Sequence, residues 1–238
     1  MLQLTEDNYE QIVGHCVTDI SSAIDLTNAA FIDPYGMVGL LEMGEFFKLK
    51  GIRKILHLPQ SEDVLKYLER MDFFRFAGEY FELVPARPNP SEKYLRSPNP
   101  DVLLEITPIE KFEHSENKGF VGIQKYHFNN IGRNVVKIAV MDLGIGFRKS
   151  LSQRFSLKDD FQAIEKALLH GASRYVDEGR GHGLAAVKRL VSQWNGKLSI
   201  RSGTAKLSII PDWSWGKEKE INLPLFPGSQ INIMLPEI

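Results

Sequence analysis

Cysteine is almost missing from this chain: Cys16 stands alone among 238 residues, which excludes an internal disulfide and any four-cysteine zinc site and suits a reducing compartment. The six histidines include no pair at the two-histidine spacing of a helical zinc site. Charge of one sign is also lacking. Lys and Arg number 29 against 30 for Asp and Glu, a formal charge of -1, so no global field attracts nucleic acid or an anionic bilayer, and neither is expected as a partner. No apolar run approaches the roughly 18 residues of a membrane span. The first ten residues carry Glu6, Asp7 and Glu10 instead of a basic start and an apolar stretch, so a secretory signal is not expected and a cytoplasmic location is. No Gly-Lys-Ser/Thr ending marks a P-loop.

What is present is an ordinary globular composition, 43% hydrophobic and 25% charged, in a chain of 27.0 kDa. That size favours two modest domains over one large one. Prolines divide them: Pro85, Pro88, Pro90, Pro98 and Pro100 crowd a segment that resists helix and sheet. The expected organisation is therefore a domain over 1–84, a Pro-rich linker over 85–100 and a domain over 101–238.

In the first part, residues 22–32 read as strand and turn. Pro34 to Lys50 carries apolar residues at helical spacing, and Gly51 ends that helix behind Lys48 and Lys50. Lys54 to Leu58 reads as a short buried strand. Ser61 is an N-cap with Glu62 and Asp63 in the first turn of a second helix. Alternating strand and helix imply an α/β layer. With Ile32-Asp33-Pro34-Tyr35-Gly36 at a strand-to-helix turn and Gly51 before a new strand, this part resembles the STAS domain of bacterial anti-sigma-factor antagonists. Pro34 and Tyr35 stand where phosphorylated members carry a serine or threonine, so the resemblance implies a docking module without that switch.

After the linker, Phe120 to Phe128 and Val135 to Met141 read as strands. The second runs into Asp142-Leu143-Gly144-Ile145-Gly146, a carboxylate at a strand mouth followed by glycines that admit a ligand close to the backbone. Later, Gly179-Arg180-Gly181-His182-Gly183-Leu184 opens an amphipathic helix with unhindered N–H groups and the positive end of a helix dipole, an arrangement that receives phosphates. Asn195-Gly196 ends the helix, Lys197 to Ile200 starts a strand, and Gly228 to Pro236 forms a closing one.

These blocks, in this order over 112–238, resemble the GHKL ATPase superfamily, the histidine kinase-like ATPases. The resemblance implies a two-layer α/β sandwich with a mixed sheet, giving an α/β (α+β) protein overall, with ATP as its ligand. Asp142 would accept from the adenine amino group, Gly144 and Gly146 would shape the base pocket, and Gly179, Arg180, Gly181, His182, Gly183 and Leu184 would line the phosphates. The segment 147–178 would be a mobile lid that carries a helix at 159–169, ended by His170-Gly171, and whose Arg148, Lys149, Arg154 and Arg174 either close over the triphosphate or face water.

The superfamily's magnesium-bearing asparagine has no counterpart. Counting back from His114 puts Glu110 in its place, a candidate Mg²⁺ ligand through its carboxylate, and Glu113 is the candidate catalytic base. Pro108 sits where the resemblance requires helix. Trp213 and Trp215 are expected to pack at a hairpin tip. Two functions follow: a cytoplasmic ATP-binding signalling regulator, an ATPase or protein serine kinase if catalytic, with a regulatory protein partner and a homodimer as an option; or an inactive module for nucleotide sensing or docking.

Overall fold

The structure, a computed structural model, describes residues 2–87, 102–109, 119–172 and 183–237. Its N-terminal part runs β1 (Leu2–Leu4), α1 (Tyr9–Thr18), β2 (Ile24–Asp25), β3 (Ala29–Ile32), α2 (Pro34–Leu49), β4 (Lys54–His57), α3 (Glu62–Arg70), α4 (Phe73–Tyr80) and β5 (Phe81–Val84). The strands form two small parallel ladders, β1-β3 and β2-β4-β5. Local chemistry sets the helix starts. The Asp33 side chain accepts from Gly36 N–H at 2.9 Å, with Pro34 at the first helical position of α2, and Ser61 caps α3 as its sequence signals.

The rest is one seven-stranded sheet: β6 (Val102–Ile109), β7 (Gly119–Phe128), β8 (Arg133–Asp142), β9 (Lys197–Gly203), β10 (Ala205–Ile209), β11 (Lys219–Glu220) and β12 (Phe226–Pro236), with α5 (Gly146–Leu151), α6 (Asp160–His170) and α7 (Gly183–Gln193) between β8 and β9. Strand order is β11-β10-β9-β12-β8-β7-β6 and every pairing is antiparallel. The mixed sheet implied by the resemblance is thus corrected. The closing strand β12 inserts between β8 and β9 and runs against both, so the two strands that point the same way never pair.

The two-layer expectation changes as well, because both faces of the sheet are covered. On one face α2 lies across β7 and β8, and Phe120, Ala139, Met141 and Phe226 join Leu40, Leu41 and Phe47 in a single buried cluster. On the other, Ile164 and Leu168 of α6 and Val191 of α7 pack on Leu198 and Ile200, with Ile231 and Ile233 alongside. The alternation along β12 assigns them: Gln230, Asn232 and Met234 are buried on the first face, while Ile231, Ile233 and Leu235 meet the helices of the second. The protein is three layers, α/β/α.

Toward β9 and β10 the first face turns polar, and α1 is held there by charge. Arg201 is fully buried. Its guanidinium donates to both carboxylate oxygens of Glu10, at 2.6 and 3.1 Å, to Gln230 Oε1 at 3.2 Å and to the Pro224 carbonyl at 2.5 Å. Glu6 pairs with Lys197 at 3.1 Å and accepts from Asn232 Nδ2 at 2.6 Å. Burial alone pushes the Glu6 carboxyl up, but Lys197, Lys206, Ser199 and Asn232 together outweigh it and hold it below the usual range. A further tie, Asp33 to Lys137 of β8 at 3.0 Å, joins the start of α2 to the central sheet.

Inside α2 lies an uncompensated acid. Glu42 is fully buried with neither carboxylate oxygen hydrogen-bonded. Burial, then Glu45 and Asp142, raise its pKa well above 4.5 against a smaller opposing influence from the Phe120 N–H. The sign follows: a raised folded-state pKa contributes stability that is complete below the unfolded value and is lost as pH rises through the folded one. Glu42→Gln should therefore melt close to wild type near pH 4.5 and increasingly above it toward pH 8, by several degrees, in thermal scans across pH. A constant offset at every pH would show that the ionisation of Glu42 is irrelevant.

Candidate nucleotide site

Asp142 ends β8, where the sequence places it, between Gly119 of β7 and Ser229 of β12. Its Oδ1 accepts from Gly144 N–H at 2.6 Å, folding the following loop back on the strand, and its Oδ2 accepts from Ser229 Oγ. Ser229 belongs to the closing-strand block of the sequence, but nothing in its spacing singles it out as the partner of Asp142.

The loop after Asp142 borders a cavity of about 470 Å³, lined by Gly144, Ile145 and Gly146, by Arg148 and Lys149 of α5, and by Gly228. Gly146 has φ +72, and a Cβ there would lie 2.8 Å from Ser202 Oγ, so a glycine is required for its close approach to β9. Ser202 in turn receives Phe147 N–H at 3.2 Å and donates to the Gly228 carbonyl at 2.6 Å. Gly144 and Gly146 both border this cavity, whose lining does not include Asp142.

The lid expectation is corrected over the described part of its segment. Residues 146–151 and 160–170 are helices, and Ile164 and Leu168 of α6 are core residues. Asp160 accepts from Thr204 N–H at 2.8 Å, stapling α6 to the β9–β10 turn. Arg148 donates to the Lys158 carbonyl at 2.8 Å. The helix read at 159–169 is present as α6, and it is a structural layer here. Arg174 lies outside the described residues.

Of the phosphate-side residues, Gly183 and Leu184 open α7, and Leu184 packs against the core of the second face. Gly179, Arg180, Gly181 and His182 lie outside the described residues, as do Glu110 and Glu113. Where the resemblance requires a metal-bearing helix, residues 102–109 are instead an edge strand, with Pro108 opposite Phe120. An edge position tolerates a proline, whose missing N–H removes no ladder bond on the open side. Among the described residues no group of three or more His, Cys, Asp and Glu side chains could hold a metal ion, and no helix is long and apolar enough to cross a membrane.

Trp213 packs as expected, donating Nε1–H to the Asn195 carbonyl at 2.6 Å and meeting Phe128 edge-on at 6.2 Å. Trp215 does not pack and is 66% exposed. No family model, curated protein or solved structure matches this chain.

Proposed function

We propose that the chain is an ATP-binding signalling regulator whose adenine-reading group is Asp142. The observation that carries this reading is the Asp142 carboxylate, held at a strand mouth by Gly144 and Ser229, with Gly144 itself lining a cavity bordered by backbone glycines. A carboxylate held in one orientation reads a hydrogen-bond donor, so it selects a 6-amino purine over one with a carbonyl at that position. α7 supports the placement of the phosphates. Gly196, just beyond its end, lies against Met234 and Leu235, and 11 helical residues of about 1.5 Å each are long enough to bring its first turn back toward the Ser229 end of β12.

The fold supports an assignment of roles. The STAS-like portion, packed on the back of the sheet, is the element through which a regulatory protein partner would feel the nucleotide. The edge strand at Val102–Ile109, standing where a magnesium-bearing helix is required, favours nucleotide sensing over the ATPase or protein serine kinase reading, with Mg²⁺ then inessential for affinity.

Titration with a fluorescent ATP analogue and with its guanine counterpart tests this. Wild type should bind the adenine form at least tenfold more tightly, with or without Mg²⁺, and Asp142→Ala should lose at least tenfold in adenine affinity, because one bond to a charged group contributes about 1.5–3 kcal/mol. Equal affinity for both bases, or an unaffected Asp142→Ala, would remove Asp142 from the role. Phosphate release or phosphoryl transfer at a steady rate would restore the catalytic reading.

A further inference from the structure

A second cavity, of about 440 Å³, opens at the other end of the central strands, between β3, α3 and β7. The β7–β8 register puts it far from the nucleotide site: Asn134, which borders the cavity, and Asp142 are eight residues apart on β8, about 27 Å along an antiparallel strand. Its size lies within the range of small-molecule sites, roughly 300–1,000 Å³.

The floor of the cavity is polar and incomplete. Gln124 is 3% exposed, and its Oε1 has no hydrogen-bond partner. Burying an amide acceptor unpaired costs about 1–3 kcal/mol, a penalty that a ligand carrying an N–H donor relieves. Two residues along β7, on the same face, Tyr126 shares a 2.7 Å hydrogen bond with Tyr67 of α3. Burial drives both phenol pKa values far above the usual one, so both hydroxyls stay protonated. One hydrogen bond between two hydroxyls uses one proton and leaves the other to donate. The floor therefore presents an acceptor on Gln124 and a donor on the tyrosine pair along one face of β7.

The walls select shape and charge. Phe31, edge-on to Tyr126 at 5.7 Å, and Val64 offer flat apolar surface. Arg70, whose guanidinium lies over the Tyr67 ring at 5.3 Å, brings a cation to a lining that also holds Asp63, while Lys125 is paired with Glu237 at 3.9 Å.

We propose that this cavity is a second ligand site, taking a small planar heterocycle with a lactam-type edge, an N–H beside a C=O, and an anionic substituent. The ligand's N–H donates to Gln124 Oε1, its carbonyl accepts from the tyrosine pair, its ring lies against Phe31 and Tyr126, and its anion meets Arg70. The site does not depend on the nucleotide reading of Asp142.

Calorimetric titration of the full chain with orotate and with uridine monophosphate tests the proposal, with benzoate and phenyl phosphate as flat anions of matching charge type that lack the lactam edge. Saturable one-to-one binding of either pyrimidine, at least tenfold tighter than its control, is the expected result, and the better of the two identifies the anion as carboxylate or phosphate. Gln124→Leu and Tyr126→Phe should each weaken it at least fivefold while adenine-nucleotide binding is unchanged, and Asp142→Ala or excess ATP should leave it intact. No saturable binding of either pyrimidine at millimolar concentration, equal binding of the controls, or indifference to both floor substitutions would overturn it. Displacement by ATP would do the same, since it would place the pyrimidine in the other cavity.

Discussion

Arg201→Met should cost about 3–5 kcal/mol, the range for breaking a buried ion pair by removing one partner, and lower the melting temperature by roughly 6–20 °C for a protein of this size. Arg201 has no exposed surface, and its bonds reach three separate stretches of chain: Glu10 of α1, the Pro224 carbonyl before β12, and Gln230 within it. Methionine fills most of the volume but leaves the Glu10 carboxylate facing an interior with no cation and the Pro224 carbonyl without its donor. The measurement that separates charge from packing is the double variant Arg201→Met with Glu10→Leu. Replacing both members of a buried pair by apolar side chains is often neutral, so most of the lost stability should return. A double variant no better than the single one would mean that the backbone carbonyls, and not Glu10, are what Arg201 serves.

Gly228→Ala is expected to be the most damaging substitution at the proposed nucleotide site, although it removes no polar group. Gly228 has φ +76, and a Cβ there would run into the Asp142 carbonyl. The left-handed conformation costs a non-glycine residue about 1–2 kcal/mol, and the clash is with backbone at the β8–β12 pairing, which has no rotamer to escape into. Relief requires the end of β8 to move away from β12, and that movement separates Asp142 Oδ2 from Ser229 Oγ. Nucleotide affinity should fall at least tenfold with a loss of stability above about 2 kcal/mol, read by analogue titration alongside urea unfolding. Ser229→Ala is the companion variant: it removes the same hydrogen bond without backbone strain, so affinity should fall with only a small change in unfolding midpoint. If Gly228→Ala kept full affinity, the precise seating of Asp142 against β12 would not matter to binding.

Much of the fold was legible because local chemistry and tertiary packing agree. Asp33 and Pro34 open α2, Ser61 opens α3, and Asp159 accepts from Gln162 N–H to open α6. The alternation of β12 is nearly unbroken over 11 residues. Helix α1 went unread because Asn8 makes no side-chain cap and its buried stripe is only Tyr9, Val13 and Cys16 around Gly14 and His15. α4 begins without a capping bond at Asp72, itself in the left-handed region, and its aromatic run Phe73-Phe74 reads equally well as strand. Pro108 hid β6, since a proline speaks against a central strand and only the pairing order reveals an edge.

The site was legible at Asp142 and its glycines, whose spacing is local. Its partner Ser229 was not, being 87 positions away and distinguished only by register. The same holds for the joint between the two halves. Asp33 meets Lys137 across 104 positions and Arg201 meets Glu10 across 191, and each alone reads as an ordinary surface charge. The buried cluster runs from Leu4 to Phe226, across both halves of the chain. Pairings of such sequence separation are fixed by shape and charge in three dimensions and leave no periodic trace.

The position of β12 carries a consequence for synthesis. It follows every other described strand of this sheet in chain order, yet it occupies the middle of the sheet, with β8 on one flank and β9 on the other. Until it arrives, β8 and β9 each present an open hydrogen-bonding edge, and Gln230 is not there to receive Arg201. Closing contacts over such sequence distances is slow, and an unpaired strand edge invites pairing with other chains. The growing polypeptide thus carries these two open edges until β12 is made, and a chaperone holding them apart would act at that stage.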